Sequence, residues 1–234
     1  NCDFFTSTVL YANWVANSYT VKYSENKPSS ASSAVTGTTP DSAHTYDKES
    51  ALSTNGYSLT GWTFLGWARA KNATSPDFSS GEKVENLADK DGAIVTLYAV
   101  WQANSYTLTF DTVGGSFAES VSVRYDGTLP AVSTPTRKGY NFGGYFTRPG
   151  GVGTKYYDPE GNATVSAYKT VGDTRLYAYW IPVSYNIEFY SEGKYVGVNK
   201  NVVYGSMKLP SAEDIGIKRD HYNFVGWNIY DNQK

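Results

Sequence analysis

Cysteine is almost absent from this sequence, since only Cys2 occurs among its 234 residues. A single cysteine cannot form an intramolecular disulfide, so burial of side chains has to stabilise the fold. We interpret Cys2 as an inert thiol rather than a cross-link or a redox site. Only two histidines occur, His44 and His221, and neither belongs to a cysteine or histidine spacing typical of zinc. We interpret both as structural and expect no metal and no cofactor.

Charge is also sparse. Charged residues make up 18% of the chain, and the formal net charge is −2. The basic residues are scattered, which argues against a nucleic-acid partner. The longest mostly apolar run, residues 93–101, is too short to cross a bilayer, so we expect no membrane span in this segment.

Catalytic motifs are missing as well. Residues 56–60 lack the last glycine of a nucleophile elbow, and residues 149–155 lack the spacing of a phosphate-binding loop. The acidic segments 89–92 and 158–162 carry oxygens that suit Ca²⁺, but the same residues suit tight turns, which we favour. We therefore expect no enzyme and no catalytic residues.

Aromatic residues are plentiful, with 6 Trp, 21 Tyr and 10 Phe, and they recur in a pattern. A closing signature, Leu-Tyr-Ala-x-Trp, occurs at residues 10–14, 97–101 and 176–180. An opening signature that begins Ser-Tyr occurs at residues 18–23, 105–110 and 184–189, and a glycine followed by an aromatic residue occurs at 66–67, 144–145 and 226–227. Landmarks that recur in one order indicate tandem repeats.

The spacing of these landmarks divides the chain. We define repeat 1 as residues 18–101, repeat 2 as 105–180 and repeat 3 as 184–234, and we interpret residues 1–14 as the closing strand of a preceding repeat. Because the closing Trp follows the glycine-aromatic pair by 101−67 = 34 and 180−145 = 35 residues, we expect repeat 3 to lack its closing strand and the chain to be an excerpt of a longer array. The short connections span about 13–14 Å, so successive repeats must nearly touch.

Local patterns predict the elements. The opening segment alternates apolar and polar residues, which predicts a strand with one buried face, and a turn then leads to a second strand in a hairpin. The closing segment is apolar on both faces, which predicts a strand in the middle of a sheet. Residues 47–53 and 211–215 permit a helix, and Ser211 suits its N-cap.

The strand, the Gly114-Gly115 turn, the run Pro-Thr-Arg-x-Gly-Tyr-x-Phe-x-Gly-Tyr at 135–145 and the closing Leu-Tyr-Ala-x-Trp together resemble the Listeria–Bacteroides repeat, which includes the B-repeat of internalin B. The resemblance covers all of repeat 2 and residues 184–234 of repeat 3, but only the two ends and Gly66-Trp67 of repeat 1. It implies an α+β, strand-dominated fold of tandem small β-grasp (ubiquitin-like) modules in an elongated array on extracellular bacterial surface proteins. The family contributes no catalytic residues.

We expect the repeat fold to depend on the recurring apolar residues of these signatures. They are Tyr19, Trp67, Leu97, Trp101, Tyr106, Phe110, Tyr140, Phe142, Tyr145, Leu176, Trp180, Tyr185, Phe224 and Trp227.

The function that follows is a structural spacer of a bacterial surface protein or adhesin, located outside the cell and supporting adhesion to a host or surface, with neighbouring repeats as partners. One alternative is a self-assembling head-to-tail polymer, in which residues 8–14, through Leu10, Ala12 and Trp14, complete repeat 3 of a neighbouring copy. Another alternative is a module that binds a host or surface protein or a glycan through exposed aromatic residues, for which the sequence offers Tyr156, Tyr157 and Tyr168. For these three tyrosines we favour cross-strand pairing within small sheets.

Overall fold

The computed structural model describes residues 9–206 and 208–229, and Cys2 and Thr8 lie outside them. The described chain is built from β-strands and turns. The strands are β1 (Ser18–Ser24), β2 (Thr36–Gly37), β3 (Ser42–Thr45), β4 (Ser50–Ala51), β5 (Tyr57–Ser58), β6 (Trp62–Ala68), β7 (Lys83–Val84), β8 (Ala93–Ala103), β9 (Ser105–Asp111), β10 (Val121–Arg124), β11 (Tyr140–Arg148), β12 (Val152–Tyr157), β13 (Thr174–Pro182), β14 (Ser184–Ser191) and β15 (Lys194–Val203).

Repeats 1 and 2 form sheets of related topology. In repeat 1 the order is β3-β1-β8-β6, and in repeat 2 it is β10-β9-β13-β11-β12. In both sheets the closing strand runs parallel to the opening strand and antiparallel to the strand on its other side. The central position expected for the closing strand is therefore confirmed. In repeat 3, β14 and β15 pair as an antiparallel hairpin, as the sequence predicts.

The core of repeat 1 follows from the alternation along β1. Tyr19, Val21 and Tyr23 point to the buried face and are 2%, 0% and 7% exposed. Their neighbours in the core include Trp67, whose ring centroid lies 4.7 Å from that of Tyr23. Complete burial of such side chains is worth about 1.5–3 kcal/mol each, so this aromatic cluster holds the sheet without disulfides.

The helix expected at 47–53 and 211–215 does not form, so the described residues are strand-dominated and the α component of the expected α+β fold is not confirmed. Asp47 adopts a positive φ of 58°, and Ser50–Ala51 pairs instead with Lys83–Val84. Ser211 and Asp214 do exchange the reciprocal hydrogen bonds of a capping box. Only turns follow, because Gly216 at φ 69° departs from helical geometry after about one turn, and so short a helix has little stability of its own.

The described chain folds into two compact units whose boundary passes through repeat 2. Unit 1 contains the described residues up to Tyr106 together with Arg124–Thr128 and Ala167–Gly172. Unit 2 contains Thr107–Val123, Leu129–Ser166 and the described residues from Asp173 onward. Two short segments of repeat 2 are thus part of unit 1. Within the described residues, no helix is long and apolar enough to cross a membrane.

Candidate functional site

In unit 1, a tyrosine ring covers the glycine that precedes β6. A Cβ atom added to Gly61 would lie 2.2 Å from Cγ of Tyr125, and Gly61 has a φ of +76°. The backbone N–H of Asn104 donates to the carbonyl of Gly61 at 2.9 Å, and the N–H of Tyr125 donates to the carbonyl of Asn104 at 2.9 Å. We call Gly61, Asn104 and Tyr125 junction 1. No residue with a side chain fits at Gly61 while Tyr125 stays in place.

Unit 2 contains the same arrangement one repeat later. A Cβ atom added to Gly139, at φ +79°, would lie 2.2 Å from Cγ of Tyr204. The N–H of Val183 donates to the carbonyl of Gly139 at 2.9 Å, and the N–H of Tyr204 donates to the carbonyl of Val183 at 2.9 Å. We call Gly139, Val183 and Tyr204 junction 2.

The two junctions join successive repeats through equivalent positions. In each junction, the glycine directly precedes a strand of one repeat, β6 for Gly61 and β11 for Gly139. Asn104 or Val183 belongs to the linker, and the tyrosine directly follows a strand of the next repeat, β10 for Tyr125 and β15 for Tyr204. Because the linker residue takes part through its backbone, Asn104 in one junction and Val183 in the other make the same bonds. Each backbone bond contributes about 0.5–1.5 kcal/mol. Burial of the tyrosine adds to that at junction 1, where Tyr125 is 5% exposed, whereas Tyr204 of junction 2 is 36% exposed.

Junction 1 carries an additional carboxylate. Oδ2 of Asp126 accepts hydrogen bonds from Nε1 of Trp62 at 3.2 Å and from the backbone N–H of Ser32 at 3.0 Å. Burial alone would raise the pKa of Asp126, but the bonds from Ser32 and Trp62 and the charge of Lys169 lower it below its ordinary value. The backbone N–H of Asp126 also donates to the carbonyl of Tyr168 at 2.8 Å.

Junction 2 replaces that carboxylate with aromatic contacts. Gly205 stands where junction 1 has Asp126, so no acidic side chain is present at this position. The ring of Tyr204 lies edge-on to that of Tyr140, with centroids 5.7 Å apart, and the guanidinium carbon of Arg137 lies 4.2 Å from the Tyr140 centroid. The backbone arrangement is thus shared, whereas the side chains around it differ.

The remaining polar groups of interest have structural partners. His44 is 2% exposed, stacks on Tyr19 with ring centroids 5.3 Å apart, and bonds Ser42 through Nε2. Burial lowers the pKa of His44. Asp158 accepts hydrogen bonds from the N–H groups of Glu160 and Asn162, as in a tight turn. In the part of the chain that the structure describes, no group of three or more His, Cys, Asp or Glu residues is arranged to hold a metal ion.

The predicted signature residues differ in burial. The buried ones are Tyr19, Trp67, Leu97, Tyr145, Leu176 and Trp180. The half-buried ones are Trp101, Tyr106, Phe110, Tyr140, Phe142 and Trp227, and the exposed ones are Tyr185 and Phe224. Leu10, Ala12 and Trp14, which we assigned to strand exchange, are exposed.

The aromatic residues offered for ligand binding are not accessible. Tyr156, Tyr157 and Tyr168 are 8%, 0% and 0% exposed, so they lack the exposure that ligand binding requires. Tyr157 packs against Phe110 and Tyr145, with ring centroids 5.9 and 6.4 Å away. These rings stabilise the fold rather than present a binding surface.

The junction residues were not predicted from the sequence, although the sequence contains a signal for them. Gly61 and Gly139 each lie five residues before the glycine of the glycine-aromatic landmark (66−61 and 144−139), and each is itself followed by an aromatic residue. The partner tyrosines lie at matched positions after the second strand. Their pairing could not be found from spacing alone, because the ring and the glycine belong to different repeats.

Comparison with known proteins finds relatives that match this chain over about half of its length or more. Over 97% of its length the chain is 28% identical to a protein of Evansella cellulosilytica described as a putative membrane protein, and the match covers 32% of that protein. A putative Gly-rich membrane protein of the same organism is 26% identical, with 93% of this chain and 23% of the relative matched. Internalin H of Listeria monocytogenes is 37% identical over 48% of this chain and 20% of its own length.

The chain therefore spans about a third or less of the relatives that it matches. A family match lies in repeat 2, where residues 106–179 fit the Listeria-Bacteroides repeat domain. This is the segment in which the sequence shows the resemblance along its whole length. Residues 106–179 of this chain belong to the Listeria–Bacteroides repeat family.

Proposed function

We propose that this chain is a non-enzymatic structural repeat region of a bacterial extracellular surface protein, where it acts as a spacer that presents or supports adhesion to a host or another surface. The observation that carries the proposal is the repetition of one junction at Gly61 and at Gly139. The match of repeat 2 to the Listeria–Bacteroides family, the similarity to Internalin H and the description of the two Evansella relatives as putative membrane proteins support a location at the cell surface.

We also propose that the repeats are β-grasp modules. The parallel pairing of the first strand with the last, in the middle of a mixed sheet, supports this fold. The cross-over segments contain turns and short strand pairs, such as β4 with β7, where a helix was expected. The proposal therefore concerns the sheet and its strand order.

A spacer requires that adjacent repeats be held at their connection. Each junction uses two backbone hydrogen bonds and one ring placed on a glycine, so rotation about the linker would break three contacts together. The linkers are also only a few residues long, which favours restricted hinges over flexible tethers. Neighbouring repeats are accordingly the first partners that we assign to this chain.

A test of the location uses intact cells that produce the parent protein. Antibodies raised against this chain should label unbroken cells, and brief protease treatment of those cells should remove the label. An internal protein of the same organism serves as the control and should be labelled only after lysis. Labelling of this chain only after lysis would contradict the surface assignment.

Head-to-tail polymerisation is a second candidate, which the exposure of the first described segment favours. Leu10 and Trp14 are 78% and 88% exposed, and Phe224 of repeat 3 is 43% exposed. Strand exchange would bury these side chains against repeat 3 of a neighbouring copy.

Light scattering over a hundredfold concentration range should then show a ladder of masses that Trp14→Ser abolishes. The control Val15→Ser, at a residue that is 90% exposed, should leave the ladder intact. A constant monomer mass would exclude this candidate.

A further inference from the structure

Repeat 1 contains a third tyrosine in the geometry of the two junctions. Tyr46 directly follows β3, as Tyr125 follows β10 and Tyr204 follows β15. Its backbone N–H donates to the carbonyl of the linker residue Asn17 at 2.8 Å, which reproduces the bond that Tyr125 makes to Asn104.

The surroundings of Tyr46 agree with this equivalence. The next residue has a positive φ in all three cases, at 58° for Asp47, 58° for Asp126 and 80° for Gly205. Asn17 lies three residues after the closing Trp14 (17−14), and Asn104 and Val183 lie three residues after theirs (104−101 and 183−180).

The other half of this junction is not present in the described residues. Tyr125 and Tyr204 each lie on a glycine, whereas no described glycine has the Tyr46 ring among its nearest atoms. Nor does a described carbonyl accept the backbone N–H of Asn17, although Gly61 and Gly139 accept the equivalent bonds. Among the described residues, one bond of the junction is therefore formed, and the glycine, its carbonyl and the strand that would carry them are absent.

We propose that Asn17 and Tyr46 form a docking face for a preceding repeat of the same kind. A glycine of that repeat, at the position of Gly61, receives the Tyr46 ring, and its carbonyl accepts the N–H of Asn17. This inference rests on the proposed function, since it requires a longer array. The partner is the repeat that residues 10–14 close, because those residues carry the closing signature at the same distance from the linker residue.

A second copy of the chain fits this face poorly. Its Gly61 and Gly139 are already covered by Tyr125 and Tyr204. The equivalent position in repeat 3 is His221, five residues before Gly226 (226−221) and at a φ of 66°. A side chain at that position occupies the space that the tyrosine ring takes in the other two junctions. The docking face is therefore selective for repeats that carry glycine there.

The test lengthens the chain by one repeat. Residues 1–101 are placed directly before Val15 of the complete chain, so that Trp101 replaces Trp14 and the spacing to Asn17 is kept. Amide hydrogen exchange, read residue by residue by NMR, should then be about tenfold or more slower at Asn17 than in the original chain. Reactivity of the Tyr46 ring towards nitration should fall several-fold.

Matched variants separate docking from folding. In the added copy, Gly61→His imitates His221 and should return the exchange rate of Asn17 and the nitration of Tyr46 to the values of the original chain. The control is Gly92→Ala in the same copy, at a glycine with nothing within 4 Å of an added Cβ, and it should leave both measurements unchanged from those of the lengthened chain. The amides of Asn104 and Val183 act as internal references for correctly formed junctions. If those references lose protection, the same measurement is made with residues 105–180 in place of residues 1–14.

Unchanged exchange at Asn17, with both references protected, would overturn the docking face. Protection of Asn17 that appears in the original chain as its concentration rises would also overturn it, because the occupant would then be a second copy. Either result leaves the labelling of intact cells unaffected, so failure of the docking face is distinguishable from failure of the proposed surface function.

Discussion

At the scale of single residues, the junctions depend on glycines for two separate reasons. Gly61 and Gly139 adopt the left-handed backbone region, and each has a tyrosine ring where a Cβ would be. The first requirement is common to many turns in this chain, whereas the second is specific to a contact between repeats. A matched pair of substitutions separates them.

Gly139→Ala should lower the free energy of unfolding of unit 2 by about 2–4 kcal/mol, because backbone strain of about 1–2 kcal/mol adds to displacement of the Tyr204 ring. The control is Gly150→Ala, at φ +76° with nothing within 4 Å of an added Cβ, which should show the strain alone. Urea unfolding followed by tryptophan fluorescence measures both. Equal losses in the two variants would mean that the ring contact contributes nothing.

Two buried tyrosines should make unit 2 sensitive to alkaline pH. Burial raises the pKa of Tyr145 to about 12, and burial together with the nearby Tyr156 raises that of Tyr157 to about 12. The unfolded value is about 10, so the folded state retains these protons longer. Stability is therefore unaffected below pH of about 10 and falls as pH rises towards about 12.

Tyr157→Phe should reduce that alkaline loss of stability. The hydroxyl of Tyr157 has no hydrogen-bond partner among the described residues, so its removal keeps the packing and eliminates one ionisable group. Tyr195→Phe is the control, because the Tyr195 ring is 54% exposed. Urea midpoints measured between neutral and alkaline pH compare the three chains. An equal loss in all of them would contradict the assignment to Tyr157.

At the scale of elements, the segment 124–128 is held in unit 1 by more than its tyrosine. Asp126 links it to Trp62 and Ser32 through its side chain and to Tyr168 through its backbone. The lowered pKa of Asp126 means that its contribution is present above its unfolded pKa of about 4 and is lost as pH falls through the folded value.

Asp126→Asn should therefore destabilise unit 1 by about 1 kcal/mol at neutral pH, because a neutral amide oxygen accepts the bonds from Ser32 and Trp62 more weakly than a carboxylate does. The difference from the original chain should shrink as the solution is acidified below pH of about 4, because the original carboxylate is then protonated as well. Thermal unfolding of both chains over this pH range measures the difference in stability. A difference that does not change with pH would show that the charge of Asp126 plays no part.

The elements also show how far sequence reasoning reaches. The opening strand, the central closing strand and the hairpin of repeat 3 follow from alternation and from two-sided apolar character, which are properties of contiguous residues. The helices predicted at 47–53 and 211–215 do not form, because Asp47 and Gly216 adopt positive φ values and the local preference for a helix is weak in both segments. The burial of Tyr168 could not be established from the local sequence, because it comes from distant residues, including Tyr106 at 5.9 Å between ring centroids.

The junctions could be predicted least. Gly61 and Tyr125 are 125−61 = 64 residues apart, and the bonds that connect them run through the backbone of Asn104, which leaves no side-chain signature. What the sequence does contain is the recurrence of the glycine at Gly139 and its replacement by His221. The recurrence alone does not identify a junction, because the sequence does not show that a tyrosine ring lies on each glycine.

At the scale of the whole molecule, one junction occurs in each compact unit, and a third is half formed at Tyr46. A single kind of connection, made mainly by backbone groups, allows repeats of differing sequence to follow one another. In repeat 3 the position equivalent to Gly61 and Gly139 holds His221, at a φ of 66°.

The most direct test of this account is amide hydrogen exchange at Asn104, Tyr125, Val183 and Tyr204 in the complete chain, compared with the Gly61→His and Gly139→His variants. The account predicts protection of all four amides in the original chain, loss at Asn104 and Tyr125 only in the first variant, and loss at Val183 and Tyr204 only in the second. Four amides that exchange as fast as exposed loops in the original chain, or that keep their protection in both variants, would contradict it.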